Sequence, residues 1–173
     1  MNIQDMVRQA SVGYLYNNRY QVTLNAPPVI DGQFSNDTLQ LISNNVSATT
    51  LPGTELLTGE WQNKGPTVKI PYKRNFNDVT MQIYNDIDGQ ARFFFEKWME
   101  SMYNLDSYNW EYRDECVSNI HIVSRDKYNN DKAAWTLYQA YPITIGDLNM
   151  EAEDGDIQSV EVTFAYTNYT MSA

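Results

Sequence analysis

Two stretches of this chain alternate apolar and polar residues so regularly that each suits a strand with one face on a core and one toward water. Val79, Met81 and Ile83 alternate with Thr80, Gln82 and Tyr84. Val160, Val162, Phe164 and Tyr166 alternate with Ser159, Glu161, Thr163 and Ala165 within the stretch Ile157 to Tyr166. A period of two is the β-strand period, and one buried face fixes the register. Five weaker stretches read as strands beside them. They are Arg19 to Leu24, stopped by Ala26-Pro27-Pro28, then Asp37 to Val46, Thr67 to Tyr72, Val117 to Val123 and Ala134 to Ile143.

The pattern changes once. Ala91, Phe94, Phe95, Trp98 and Met102 recur at helical spacing, which predicts a helix over about 88–102 with Asp88 as its N-cap. Arg92 and Glu96 form an i,i+4 pair on its other side. Such a stripe packs on a sheet far more often than it lines a cofactor site. Residues 3–10 could form a second, short helix. Residues 103–116 read as a Tyr- and Trp-rich loop. Residues 47–66 carry Gly and Pro but no pattern, and a segment that long has a role beyond connection.

These elements predict a mainly β (α+β) fold. Antiparallel sheets form a β-sandwich or partial barrel with one flanking α-helix, in a single domain over residues 1–173. The 42% apolar content and 13 tyrosines supply its core. Such a sheet has edges, and the strands lack the usual edge defences of inward Lys or mid-strand Pro. Pairing with further copies would satisfy them, in a ring if the contact closes and in a filament if it does not. Tyrosines suit such interfaces, although they also suit sheet faces.

Charge narrows the function classes. The net charge is −10, which disfavours adhesion to nucleic acid phosphates and anionic membranes. It is unevenly spread. Lys64, Lys69, Lys73 and Arg74 make one basic stretch, whereas Asp147, Glu151, Glu153, Asp154, Asp156 and Glu161 follow the last base, Lys132. Both could be solvated faces, or they could be complementary surfaces that meet between copies. No apolar run reaches the roughly 18 residues of a membrane span, and the first residues lack the pattern of a signal peptide. Cys116 is the only cysteine, which excludes an internal disulfide and fits a reducing compartment.

Candidate chemistry is sparse. His121, the only histidine, sits between Ile120 and Ile122, and no serine lies in a nucleophile elbow. Cys116 and His121 fall short of a zinc set. The stretch from Asp147 to Glu151 looks like a calcium loop, but Ala152 stands where that loop needs Gly. No phosphate-binding or dinucleotide fingerprint occurs. No catalytic, cofactor or metal residues are therefore expected. Trp61, Trp110 and Trp135 could form a sugar platform, which keeps a small carbohydrate-binding β-domain as an alternative of another class.

Three stretches carry a family resemblance. The first is Leu51-Pro52-Gly53-Thr54-Glu55-Leu56. The second runs from Tyr72-Lys73-Arg74-Asn75-Phe76 through the Val79 strand and Asn85-Asp86 into the helix with Arg92, Phe95 and Trp98. The third is Tyr141-Pro142-Ile143-Thr144 to Asp147, followed by Ile157 to Tyr166. In order and spacing, over roughly residues 45–168, they resemble the tail-tube protein family of contractile-tailed, T-even-like bacteriophages. Residues 1–44 match less well.

The resemblance implies a structural virion protein, not an enzyme. It implies a homo-hexamer whose strands complete a large β-barrel, with rings stacking into a tube inside a contractile sheath. Sheath and baseplate proteins would be partners. DNA would pass through the lumen without specific binding, and no membrane, cofactor or small-molecule substrate is implied. Six chains of charge −10 suit a conduit rather than a binder. Assembly would take place in the host cytoplasm. A baseplate tube initiator or a type VI secretion-like tube ring is the alternative within the same class. Leu51, Pro52, Trp61, Lys64, Lys69, Lys73, Arg74, Asp147, Glu151, Glu153, Asp154 and Asp156 are the expected inter-subunit contacts.

Overall fold

The structure, a computed structural model, describes residues 15–62, 64–148, 150 and 155–172. The expected helix over residues 3–10 lies outside them. Nine strands are described: β1 (Tyr20–Leu24), β2 (Val46–Thr49), β3 (Thr54–Trp61), β4 (Val68–Phe76), β5 (Val79–Tyr84), β6 (Ser118–Arg125), β7 (Asp131–Ile145), β8 (Ser159–Ala165) and β9 (Asn168–Ser172). Three α-helices join them: α1 (Asn36–Asn44), α2 (Gln90–Met102) and α3 (Arg113–Cys116). A 3-10 turn, Pro28–Ile30, follows β1.

Seven strands form one antiparallel sheet in the order β1-β6-β7-β8-β5-β2, with β9 also on β7. The long strand β7 is its spine. Ala134–Tyr138 pair with β9, and Tyr141–Ile145 pair with β8. Between the two halves Gln139 takes φ of 53°, a left-handed conformation that a non-glycine residue holds only at a cost. A polar chain fixes it there. The Gln139 amide donates to Asn119 Oδ1 (3.2 Å), Thr167 Oγ1 donates to Gln139 Oε1 (2.9 Å), and Arg113 Nη2 donates to Thr167 Oγ1 (2.6 Å). The sheet thus turns a corner into two halves that share β7, a partial barrel that stays open.

Both halves feed one core. Val22, Leu24, Ile120, Ile122 and Leu137 come from the first half, and Val79, Met81, Ile83, Val160, Val162 and Phe164 from the second. Helix α2 adds Phe94, Phe95 and Trp98, all fully buried, and Phe95 meets Phe164 edge-on at 5.8 Å. Each such side chain contributes about 1.5–3 kcal/mol on burial, which outweighs the modest helix propensity of an aromatic run. Trp98 Nε1 donates to the Cys116 carbonyl (2.7 Å), so α2 and α3 are tied together inside.

The strongest patterns hold in the fold: β1, β4, β5, β6, β7, β8 and α2 lie where the sequence predicts, within about four residues at their ends. Other expectations are corrected. Asp37 to Val46 is not a strand but mostly helix α1. Ser35 Oγ accepts from the Thr38 amide (3.2 Å), and Leu39 and Ile42 face the core three residues apart. The patternless segment 47–66 contains β2 and β3. Asp88 does not cap α2. Gly89 occupies the cap with φ of 68°, and Asp86 Oδ1 accepts the Gln90 amide at 2.6 Å. The loop 103–116 holds a Tyr103–Trp110 bridge and α3. Strand β9 was not anticipated at all.

Candidate assembly surfaces

The segment from Thr54 to Phe76 is a β-hairpin that stands apart from the main sheet. Strands β3 and β4 pair only with each other. Gly59 lies opposite Ile70, and Trp61 opposite Val68, so these four share one face. The Tyr72 ring joins them, 3.8 Å from where a Cβ on Gly59 would stand. Glu60 and Lys69 face each other on the opposite side. The hairpin is therefore amphipathic, yet among the described residues nothing of its own chain covers the apolar face. Trp61, Val68, Ile70 and Tyr72 are 49–71% exposed. A register shift lies between Leu57 and Thr58, with Tyr72 as the extra residue on β4.

The base of the hairpin is fixed by an aromatic cluster. The Phe76, Tyr166 and Tyr169 rings lie within 6.3 Å of one another, centre to centre. The Arg74 guanidinium sits over Phe76 (5.1 Å) and Tyr169 (5.9 Å), and its Nη2 donates to Thr54 Oγ1 (3.4 Å). Tyr166 Oη donates to the Asn77 carbonyl (2.8 Å). Burial, with Tyr169 and Asp78 adding to it, pushes the Tyr166 phenol up to about 12. The Leu-Pro-Gly motif enters here as well. A Cβ on Gly53 would stand 3.0 Å from Asn77 Nδ2, so any larger residue there would have to push that side chain aside.

An apolar groove of about 600 Å³ opens between the end of α2, the loop after it and the second half of β7. Met99, Met102, Leu105, Trp110, Ile143 and Ile145 line it, with Glu96 and Glu100 at its rim. Beyond the α2 rim, Asp106, Glu111, Asp114 and Glu115 follow. Residues 96–116 hold six acids against two bases, a net −4. Pro142, which lacks an N–H, lies in this half of β7, where the only partner strand is β8.

The expected contact residues divide as follows. Lys64, Lys69 and Lys73 lie on the hairpin or its turn, exposed, and none forms an ion pair among the described residues. Arg74 is engaged within its own chain. Leu51 is exposed beside a depression shared with Leu15, Tyr16 and Trp135, and Pro52 precedes the hairpin. Asp147 and Asp156 are exposed, whereas Glu151, Glu153 and Asp154 lie outside the described residues. The three tryptophans do not gather into a platform. Trp61 is on the hairpin, Trp110 in the apolar groove and Trp135 in the Leu51 depression. His121 Nδ1 is hydrogen-bonded to Thr136 Oγ1 (3.0 Å) across β6 and β7. Among the described residues no His, Cys, Asp and Glu cluster could hold a metal, and no helix is long and apolar enough to cross a membrane. Both outward sheet faces are polar and rich in hydroxyls. Thr80 lies across from Thr163, and Thr23, His121, Thr136 and Thr170 form a row over four strands.

The sequence matches the family described as phage tail tube protein over residues 15–172. This chain belongs to that family. Solved structures agree in fold. A chain of an extracellular contractile injection system, from its PVC sheath–tube complex in the extended state, is similar at a TM-score of 0.68 and 16% identity, covering 96% of this chain and 97% of that one. A chain of the anti-feeding prophage cap, which terminates its tube, is similar at 0.66 and 16% identity, covering 92% and 91%. One from the anti-feeding prophage baseplate reaches 0.67 at 10% identity, covering 92% and 95%. No curated protein sequence matches. The chain is thus a tail-tube-like structural protein, as the three sequence motifs implied.

Proposed function

We propose that this chain is the repeating subunit of a tail tube, in which six copies close into a ring and rings stack into a conduit for DNA inside a contractile sheath. The family match over residues 15–172 carries the reading. The whole chain acts as one tail-tube domain, without catalysis. The half-sheet of β2, β5, β8 and the second half of β7 has two open edges, β2 and Tyr141–Ile145. Edge-to-edge joining of six such sheets gives a continuous barrel and satisfies the backbone that one chain leaves unpaired. The lumen-facing side then carries Thr80, Gln82, Thr163 and Glu161, a hydroxyl-rich wall along which a polyanion finds no bases to bind.

The hairpin reaches a neighbouring copy. Lys64, Lys69 and Lys73 meet the acidic stretch of Asp147, Glu151, Glu153, Asp154 and Asp156, with Leu51, Pro52 and Trp61 supplying apolar contact and Arg74 holding the hairpin base. Sheath and baseplate proteins contact the outer wall and one end of the tube, and assembly proceeds in the host cytoplasm.

Negative-stain electron microscopy of the purified protein tests the proposal. Tubes of stacked rings are expected. Isolated rings that never stack would instead assign the chain to a tube end, as in the cap and baseplate neighbours. A monomer at every concentration would refute both.

A further inference from the structure

We propose that the apolar groove beside α2 is the socket for the β3–β4 hairpin of a second copy of this chain. The inference rests on the tube reading above and names a receiving surface that the reading leaves open.

Three complementarities carry it. The first is apolar surface on both sides. The hairpin offers Trp61, Val68, Ile70 and Tyr72 on one face, all about half-exposed or more and none covered by the described residues of its own chain. The groove offers Met99, Met102, Leu105 and Ile143, floored by side chains too exposed to belong to the core. Aromatic anchors entering apolar pockets supply most of the energy of protein interfaces, and methionine walls adapt to them.

The second is charge. The chain carries −10 overall, yet residues 54–76 hold four bases against two acids, a net +2. The groove and the loop beyond it carry −4. Lys69 projects from the polar face of the hairpin, opposite Glu60, and Lys73 borders the apolar face, opposite Leu57. With the apolar face down in the groove, Lys69 points away from it while Lys73 comes to its rim. Glu96 and Glu100 stand there, and Asp147 lies two residues beyond Ile145. The basic and acidic stretches of the sequence then meet at one place.

The third is order. Both partners are preformed. The aromatic cluster of Phe76, Tyr166 and Tyr169 holds the hairpin base, and the Tyr103–Trp110 bridge holds the groove wall. Docking therefore orders few further residues, which lowers its entropic cost.

The test places a photoreactive benzoylphenylalanine at Ile70 and maps cross-links in assembled protein by mass spectrometry. Cross-links to peptides within 96–110 or 141–147 of another chain are expected. In parallel, Ile143→Glu and Leu105→Glu should abolish assembly while the monomer melts at the parental temperature. Tubes whose cross-links fall only on other surfaces, or groove variants that assemble at the parental concentration, would overturn the socket and leave the tube reading standing. A parent protein that never assembles would overturn the tube reading and the socket with it.

Discussion

Replacing Trp61 by Ala separates assembly from folding. Trp61 sits at the far end of β3, 56% exposed, and its strand pairs only with β4. An aromatic side chain of this kind presents roughly 200 Å², so about 110 Å² remains for a neighbouring copy to cover, worth about 2.8 kcal/mol at about 25 cal/mol per Å². That corresponds to about a hundredfold rise in the critical concentration for assembly when the indole is removed, as an upper figure for complete coverage. The monomer should be indifferent, within about 0.5 kcal/mol, because no core contact is lost. Sedimentation of assembled from soluble protein over a concentration series gives the first quantity, and urea unfolding of the soluble fraction gives the second. A critical concentration within about threefold of the parent's would refute the claim that this face is covered by another copy. A large fall in monomer stability would refute the claim that the hairpin is independent of the core.

Three further outcomes are expected. The double charge reversal Lys69→Glu with Lys73→Glu should weaken assembly, and more so near 0.01 M salt, where screening extends to about 30 Å, than near 1 M, where it falls to about 3 Å; equal polymerisation at both salts would remove the electrostatic contact. Trp98→Phe deletes the donor to the Cys116 carbonyl and leaves that oxygen buried and unpaired, so urea unfolding should show a loss of about 1–3 kcal/mol. The Tyr166 phenol titrates at about 12 in the folded chain, above its ordinary value of 10.0. Between those values the folded state binds the proton more tightly, so stability is full below pH 10 and declines as pH rises toward 12. Tyr166→Phe should flatten that alkaline decline, and urea midpoints that fall as steeply as the parent's between pH 10 and pH 12 would contradict it.

The elements legible in the sequence are those whose burial is one-sided. β5 and β8 alternate cleanly because one face meets the core and the other does not. α2 is equally plain, since Phe94, Phe95 and Trp98 all point inward. α1 carried a readable signal, the Ser35 cap with Leu39 and Ile42, but the short alternating run around it favoured a strand. β3 was invisible for a physical reason. It pairs outside the core, and it is exposed on most of its length. β9 was hidden because it only extends the pairing of β8 along β7 after a corner. Of the expected contact residues, the basic stretch proved to be one strand of the hairpin, while the tryptophan platform dissolved onto three separate surfaces.

The sequence by itself determined an acidic, mainly β chain with one aromatic helix, and its three motifs placed it among tail-tube proteins. Those follow from local period, composition and order, which need no knowledge of what lies beside what. Only the tertiary structure decided that part of the patternless loop is the first strand of an amphipathic hairpin, that Arg74 serves its base, and that an acid-rimmed apolar groove lies beside α2. Each depends on residues far apart in the chain being brought together: Arg74 with Tyr169, Gly53 with Asn77, Met99 with Ile143. Surfaces made by such convergence leave no periodic trace in the sequence, because the partner that completes them belongs to another stretch or to another copy.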